Sequence, residues 1–160
     1  MEPVGFASHD HAACITTSLE AAAVHCRAAG LQLTPVRRRV LEILLQRHRA
    51  LGAYDLLDVL RDEGLGSQPP VVYRALDFLV GRGFVHRIER LNAFVACAHP
   101  GDTHVPAFLI CRNCASVAEL QSEPAKGALG RTARAAGFQI ERTVVEAEGL
   151  CPKCQPEVQT

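Results

Sequence analysis

Apolar residues recur at helical spacing through the first half of the chain. A capping residue followed by a proline, Thr34-Pro35, opens the best defined of these stretches, in which Val36, Val40 and Leu44 share one side. The segment before it is rich in alanine, which has the highest helix propensity, and glycines end several stretches. The pattern therefore predicts four helices, over the ranges 18–29, 35–49, 53–63 and 71–80. The last of them has a stripe that is expected to be buried, at Val72, Ala75, Leu76 and Leu79.

The spacing of apolar residues is no longer helical after Gly83. Two short runs, 84–89 and 93–97, are typical of strands, and Arg90-Leu91-Asn92 between them predicts a hairpin. Three helices followed by a two-stranded ribbon are the outline of a winged helix-turn-helix, which places the polar side of one helix in the major groove of DNA.

The second half of the chain predicts a smaller mixed unit. Strands are expected over 105–111, 116–120 and 138–148, and a helix over 124–136, although glycines weaken the helical pattern. We therefore expect an α+β protein with the following parts: a mobile leader (1–17), a winged-helix DNA-binding domain (18–91), a hinge (92–98) and a small α/β domain (99–160).

Composition and charge limit the class of protein and the cellular location that are expected. Of the 160 residues, 48% are hydrophobic, which is enough for a core, and no apolar run approaches the ~20 residues that a membrane span needs. The first 30 residues carry one basic and three acidic side chains, unlike a secretory signal. A cytoplasmic location is expected, where seven cysteines favour metal binding over disulfides. Residues 31–90, with 10 basic and 7 acidic side chains, carry +3, a modest bias toward a polyanion.

Two C-x-x-C pairs give the strongest chemical signal. Each such turn directs two sulfurs at one centre, and two turns complete a tetrahedral zinc site with no open position, which is typical of a structural metal. Disulfides and a redox-active pair are the alternatives, but too few residues follow the second pair to form the helix that a redox pair normally precedes. The predicted structural zinc ligands are Cys111, Cys114, Cys151 and Cys154.

A second, mixed set of ligands lies around the junction of the two predicted domains. One thiolate, two imidazoles and a carboxylate form a credible zinc site, and the thiolate favours zinc over ferrous iron or manganese. His99 and Asp102 are rivals for a place in this set. The predicted ligands are His86, Cys97, His104 and Glu119.

Several segments in order resemble the ferric uptake regulator family. They are LTPVRRRVLEIL (33–44), AYDLLDVLR (53–61), PPVVYRALDFL (69–79), GFVH (83–86) and the two C-x-x-C pairs. The lone Cys97 and the spacing from His104 to Cys114 are similar to the zinc-sensing branch of that family, and the iron-type run H-H-x-H-x-x-C-x-x-C is absent.

The resemblance implies a function and a set of partners. It implies a homodimer that pairs through its C-terminal domain, binds palindromic operator DNA and represses zinc-acquisition genes when loaded with zinc. It implies two zinc ions per subunit, one structural and one regulatory, at the two predicted ligand sets. No membrane and no small-molecule substrate are expected as partners.

The expected DNA contacts lie on the helices of the first domain. The resemblance assigns base contacts to Tyr54 and Arg74, and Tyr73 lies beside Arg74 on the polar side of its helix. Four further arginines are expected either at phosphates or at solvated helix ends: Arg37, Arg38, Arg39 and Arg49.

Other classes of function are less consistent with the sequence. An enzyme is disfavoured because neither H-E-x-x-H nor the H-x-E of zinc deaminases occurs. A sensor of iron, nickel or peroxide, and a zinc-stabilised DNA-binding protein without sensing, remain alternatives. A third metal site using His25, His99 or the leader residues His9, His11 and Cys14 also stays open, as does a contact of Asp58 and Arg61 with a neighbouring dimer.

Overall fold

A computed structural model describes residues 5–6, 10–66 and 68–156. Four helices and a hairpin make up the first half. Their bounds are α1 His11–Ala28, α2 Pro35–Leu45, α3 Ala53–Asp62, α4 Pro69–Gly81, β1 Val85–Ile88 and β2 Ala93–Ala96. This order of elements confirms the predicted winged helix-turn-helix.

The helix caps explain where sequence and structure agree and where they differ. The Thr34 hydroxyl accepts a hydrogen bond from the Arg37 N–H and starts α2 where the sequence predicts it. The first helix was wrongly predicted to start at Ser18. Asp10 caps it instead, accepting from Ala12 N at 3.0 Å, so the expected mobile leader contains the first seven residues of α1, while His9 lies outside the described residues.

The last turn of α2 also differs from prediction. The helix ends at Leu45, so Arg47 and Arg49 lie beyond it rather than at its carboxyl end. The chain instead becomes extended, and Arg49 forms an isolated bridge with Ser116 of the second domain.

The first domain is built around one core. The helices α2, α3 and α4 contribute fully buried leucines, and the hairpin closes the core with Val85 and Phe94. The stripe predicted on α4 is buried as expected, at Val72, Ala75, Leu76 and Leu79. Burial of these side chains supplies the main stabilising free energy of the domain.

The second half forms a three-stranded sheet with one short helix. Its elements are β3 Val105–Cys111, β4 Val117–Ser122, a 3₁₀ turn Pro124–Lys126, α5 Ala128–Ala135 and β5 Val145–Gly149. The strand order is β4-β3-β5, with β3 antiparallel to β4 and parallel to β5. Parallel pairing places the carboxyl ends of β3 and β5 at the same edge of the sheet.

Two predicted elements of this half are shorter in the structure than the sequence pattern indicates. The helix expected over 124–136 is divided at Gly127 into the 3₁₀ turn and α5. The strand expected over 138–148 shrinks to Val145–Gly149, because only these residues pair with β3. Residues 138–144 pair with no strand among the described residues.

A second core joins the two halves. Ile88 and Val95 of the hairpin pack on Phe108, Ile110 and Val117 of the sheet. The hairpin thus belongs to both cores, and β2 occupies most of the segment 92–98 that was expected to act as a hinge.

The connector between α2 and α3 also links the halves through its backbone. Val117 N donates to His48 O at 2.9 Å, while Leu51 and Phe94 exchange hydrogen bonds of 2.9 and 2.8 Å. This connector, residues 48–51, therefore lies between the hairpin and the second sheet.

Within the ranges that the structure describes, no helix has the length and apolar character needed to cross a membrane.

Gly130 fixes the packing of α5 on the 3₁₀ turn. A Cβ built at Gly130 would lie 1.8 Å from the Ala125 carbonyl oxygen, whereas one at Gly127 would lie 3.6 Å from its nearest neighbour, Pro124 O. We expect Gly130→Ala to lower the free energy of unfolding by about 1–3 kcal/mol, because the backbone must move. Urea unfolding at fixed protein concentration measures this change. Gly127→Ala is the control, and an equal loss in both variants would contradict the steric explanation.

Candidate metal centres and nucleic-acid interface

The four predicted cysteines meet at one edge of the second sheet. The carboxyl ends of β3 and β5 lie side by side there, with Cys111 paired to Gly149, and tight turns follow both strands. One sulfur from each cysteine lies within 4.8 Å of the others. This first cluster consists of Cys111, Cys114, Cys151 and Cys154.

Local hydrogen bonds favour thiolates at two of these positions. Cys151 N donates to Cys111 Sγ at 3.4 Å and lowers the pKa of Cys111 to about 6. The Ser116 hydroxyl lies 2.9 Å from Cys114 Sγ and lowers the pKa of that thiol. A sequence pattern marks the sulfurs but does not reveal these donors.

The remaining thiols show why the first cluster needs a cation. The Asn113 amide donates to Cys154 Sγ at 3.3 Å and favours its thiolate, but Cys151 and the other neighbouring thiols outweigh it and raise the pKa of Cys154 to about 11. Thiolates this close repel one another. Four of them coexist only around a metal ion, so the donor set fits a closed tetrahedral site.

The second cluster draws one ligand from each of four places in the fold. His86 lies on β1, Cys97 follows β2, His104 precedes β3 and Glu119 lies on β4. Their ligand atoms all lie within 4.8 Å of one another. The cluster therefore spans the hairpin of the first domain and the sheet of the second.

Glu119 is the centre of this cluster. Within the described residues it is the sole polar or charged side chain in the buried core, 5% exposed. Its Oε1 lies 2.7 Å from His104 Nε2 and 3.3 Å from His86 Nε2, and its Oε2 accepts from Ala98 N at 2.8 Å. Burial opposes ionisation, but the imidazoles and the Ala98 N–H outweigh it, so the pKa of Glu119 is lowered.

His104 is oriented by a neighbouring carbonyl group. Its Nδ1 donates to Asp102 O at 2.8 Å, which turns Nε2 toward Cys97 and Glu119. A proton or another cation is then needed between Nε2 and the carboxylate. Burial opposes a charged imidazole, but Asp102 and Glu119 outweigh it and raise the pKa of His104.

His99 and Asp102, the two alternative ligands considered from the sequence, lie outside the second cluster. The ring of His99 is 6.1 Å from that of His104, and Asp102 contributes its carbonyl oxygen rather than its carboxylate. Neither is among the four residues whose ligand atoms converge.

His86 and Cys97 complete the case for a cation. Across the described part of the chain, His86 Nε2 is the one buried side-chain nitrogen or oxygen that completes no hydrogen bond, although Glu119 Oε1 lies 3.3 Å away. Burial, then the charge of Glu119, raises the pKa of the Cys97 thiol to about 12. A divalent ion would satisfy this arrangement, in which an imidazole nitrogen has no hydrogen bond and a thiol is held protonated, both beside a buried carboxylate.

No third convergent cluster occurs among the described residues. His25 packs edge-on against Phe84, with ring centroids 5.4 Å apart, and His11 lies 4.9 Å from His48. The leader residue His9 is outside the described ranges.

The amino-terminal ends of α3 and α4 form an exposed face. Tyr54 is 64% and Tyr73 is 44% exposed, and the two rings line a narrow cleft between the helices. Arg74 follows Tyr73 on the same exposed side of α4. Two aromatic groups and a cation at paired helix ends fit contact with base edges and phosphates.

The four arginines predicted at phosphates have different surroundings. Arg37 lies over the Phe78 ring at 3.7 Å and donates to Gln32 O, and Arg38 is exposed. Arg49 is exposed but lies beside the first cysteine cluster, in a cavity that Cys114 and Cys154 also line.

Arg39 is already paired inside its domain. It donates to both carboxylate oxygens of Glu63, at 2.8 and 2.6 Å, and lies 3.1 Å from Glu42. These carboxylates neutralise its charge, which makes a phosphate contact unfavourable. Asp58 and Arg61 lie 3.9 Å apart on the exposed side of α3.

The fold and the clusters together define a winged-helix protein with metal-binding sites. The family is shown by sequence: the ferric uptake regulator family matches residues 28–148, and the chain belongs to that family. The zinc uptake regulation protein of Escherichia coli K12 is 42% identical over 131 residues, which cover 81% of this chain and 76% of that protein.

Solved structures of zinc uptake regulators also match this chain. A zinc uptake regulator complexed with zinc and DNA matches with a TM-score of 0.80 at 39% identity, over 88% of this chain and 94% of that one. Holo XcZur matches with a TM-score of 0.75 over 86% and 96% of the two chains, and apo XcZur with 0.50 over 88% and 97%, each at 43% identity. The structure of this chain is therefore more similar to holo XcZur than to apo XcZur.

The Arg39–Glu63 pair predicts a pH-dependent contribution to stability. The hydrogen bond from Arg39 lowers the pKa of Glu63, so its stabilising effect is present above the ordinary carboxyl pKa of about 4.3 and is lost as pH falls. We expect Glu63→Gln to be less stable than the parent at pH 7, with a smaller difference at pH 3. Urea unfolding at the two pH values measures it. Glu20→Gln, at an exposed position on α1, should show no such difference, and a pH-independent loss in Glu63→Gln would refute the ionic explanation.

Proposed function

We propose that the protein is a zinc-responsive transcriptional repressor of zinc-acquisition genes, which binds palindromic operator DNA as a homodimer. One observation carries this proposal: a partly buried cluster of four candidate metal ligands takes His86 from the hairpin of the DNA-binding domain, Cys97 from the residue after it, and the other two from the second domain. The relatives that are zinc uptake regulators, one of them solved with zinc and DNA, support it.

Two zinc ions per subunit are proposed, in different roles. The four cysteines of the first cluster would hold a structural ion, since they leave no open position. The second cluster, His86, Cys97, His104 and Glu119, would hold the regulatory ion. Its thiolate, two imidazoles and one carboxylate suit zinc better than ferrous iron, for which a nitrogen and oxygen set is the usual choice.

The proposed response is a change in domain placement. His86 is the member of the second cluster that belongs to the winged-helix hairpin, and its Nε2 lacks a hydrogen-bond partner unless the cluster is filled. A bound zinc ion would supply the positive charge that these four ligands need. His86 would then hold the hairpin on the sheet, which would fix the separation of the two α4 helices in a dimer.

The second domain offers the surface for pairing. Several large apolar side chains of this domain are exposed in the single chain, and a homodimer would cover them: Val105 (41%), Leu129 (54%), Phe138 (66%) and Val144 (47%). We propose that the two copies pair through this surface, so that the winged-helix domains lie on either side of a two-fold axis.

Operator contacts are proposed for the exposed ends of α3 and α4. Tyr54, Tyr73 and Arg74 would reach base edges, and Arg38 would hold a phosphate. Arg37 would contribute less, because it already contacts Phe78 and Gln32. Arg39 and Arg49 are left out of the proposed contacts because of the carboxylates and the cysteine cluster around them.

Two variants separate the proposed roles of the clusters. We expect the parent to contain two zinc ions per subunit and Cys97→Ser to contain one, with the dimer intact. DNA affinity at saturating zinc should fall roughly 10- to 100-fold in Cys97→Ser, because the DNA-competent arrangement is less populated. Metal analysis and DNA binding at fixed salt measure both quantities.

The matched control is a cysteine of the other cluster. Cys111→Ser should dissociate or unfold the second domain, because metal binding there is part of its folding free energy. Normal zinc-dependent DNA binding by Cys97→Ser would rule out regulation through the second cluster and leave a zinc-stabilised DNA-binding protein.

Zinc binding at the second cluster should strengthen as pH rises. The raised pKa of about 12 keeps Cys97 protonated in the empty site, so binding must release that proton, and His104 loses a second one at lower pH. The zinc association constant should rise at least about tenfold per pH unit between pH 6 and 8. Competition with a chromophoric chelator measures it. A pH-independent constant would show that Cys97 does not ligate as a thiolate.

A further inference from the structure

A row of three residues crosses one face of the second sheet. Phe108 of the central strand β3 is paired with Glu119 on β4 and with Glu146 on β5, so the three side chains share a face. Adjacent strands lie about 4.8 Å apart, which separates the two carboxylate positions by roughly 10 Å. Glu119 already belongs to the second metal cluster.

The hairpin lies over this row. His86 of β1 contacts Glu119 at 3.3 Å and the Phe108 ring at 5.6 Å between centroids, and Ile88 packs in the same core as Phe108. Three residues of extended chain from His86 reach Glu89, a distance of roughly 10 Å. The two attachment points, His86 on β1 and Glu89 in the turn directly after it, therefore match the spacing of the two carboxylates on the sheet.

Glu146 meets the hairpin where its backbone needs acceptors. The turn is closed by Asn92 N donating to Glu89 O at 3.3 Å, a bond that does not use the N–H groups of Glu89 and Arg90. Glu146 accepts from both, with Oε1 2.6 Å from Glu89 N and Oε2 2.9 Å from Arg90 N. Two backbone donors on one carboxylate form a directional, charge-assisted contact.

Ion pairs surround that contact. Arg90 Nε donates to Glu148 Oε2 at 2.7 Å, and Arg142 donates to Glu89 Oε1 at 2.7 Å. Both pairs join the turn to the segment that ends in β5. Exposed pairs of this kind contribute little individually, so Glu146 is the principal acceptor.

We propose that Glu146 is a positioning residue, a second and metal-free attachment that holds the winged-helix hairpin on the sheet and lowers the zinc concentration at which the protein binds DNA. The proposal rests on the proposed function. The contact and the metal cluster favour the same domain placement. Loss of either attachment therefore weakens the effect of the other.

The test uses Glu146→Gln in the full-length, dimeric protein. The amide keeps the shape of the side chain but replaces one acceptor oxygen by a donor. We expect the zinc concentration for half-maximal DNA binding to rise about tenfold, since one charge-assisted hydrogen bond is lost. Zinc content of the four-cysteine site should not change. Amide exchange of Glu89 and Arg90, followed by NMR, should accelerate by a similar factor.

Glu123→Gln is the matched control, because Glu123 is an exposed glutamate of the same domain that pairs only locally with Lys126. It should leave the zinc midpoint and both amides unchanged. Parent-like values in Glu146→Gln would overturn the proposal, and so would an equal change in Glu123→Gln.

Glu146→Asp covers the case in which Glu146→Gln fails to fold. Its shorter side chain keeps the charge but cannot reach both N–H groups, so the zinc midpoint should rise and both amides should exchange faster, and parent-like values would overturn the attachment. If the parent bound DNA without any zinc dependence, the proposed function would fail. The amide exchange of Glu89 and Arg90 would then still decide whether the attachment exists.

Discussion

The buried carboxylate of Glu119 is the constraint on which the arrangement of the two domains depends. A charge at this depth is unfavourable unless positive or hydrogen-bonding groups surround it. Those groups come from separate places in the chain: His86 on the hairpin, Ala98 after it and His104 before the sheet. Neutralising one side chain therefore requires the first domain to lie against the second. The interface follows from electrostatics as much as from apolar packing.

The remaining contacts support that placement at points on either side of Glu119. The second core, with Ile88 and Phe108 among its members, excludes water beneath the hairpin. The connector 48–51 adds backbone hydrogen bonds on one side, and Glu146 accepts from the hairpin turn on the other. The four-cysteine cluster lies at the edge of the sheet and has a different task, because it ties the end of β5 to β3.

Short-range signals made much of the fold predictable. Thr34-Pro35 located the start of α2 and the apolar stripe located α4, and the structure brings together the residues of both predicted ligand sets. The failures have physical causes. Asp10 caps the first helix in place of Ser18, and no strand that the structure describes pairs with the residues directly before Val145. The neutralisation of Arg39 by Glu63 depends on tertiary packing that no local pattern records.

The connector has a consequence for how sequence changes spread through the molecule. Residues 48–51 touch the hairpin and the second sheet at once, then lead directly into α3 and its exposed Tyr54. A bulkier side chain at Ala50, which packs in the second core, would displace α3 relative to the sheet without touching a ligand or a base. Operator preference can therefore drift in related proteins through residues that no inspection of either binding surface would single out.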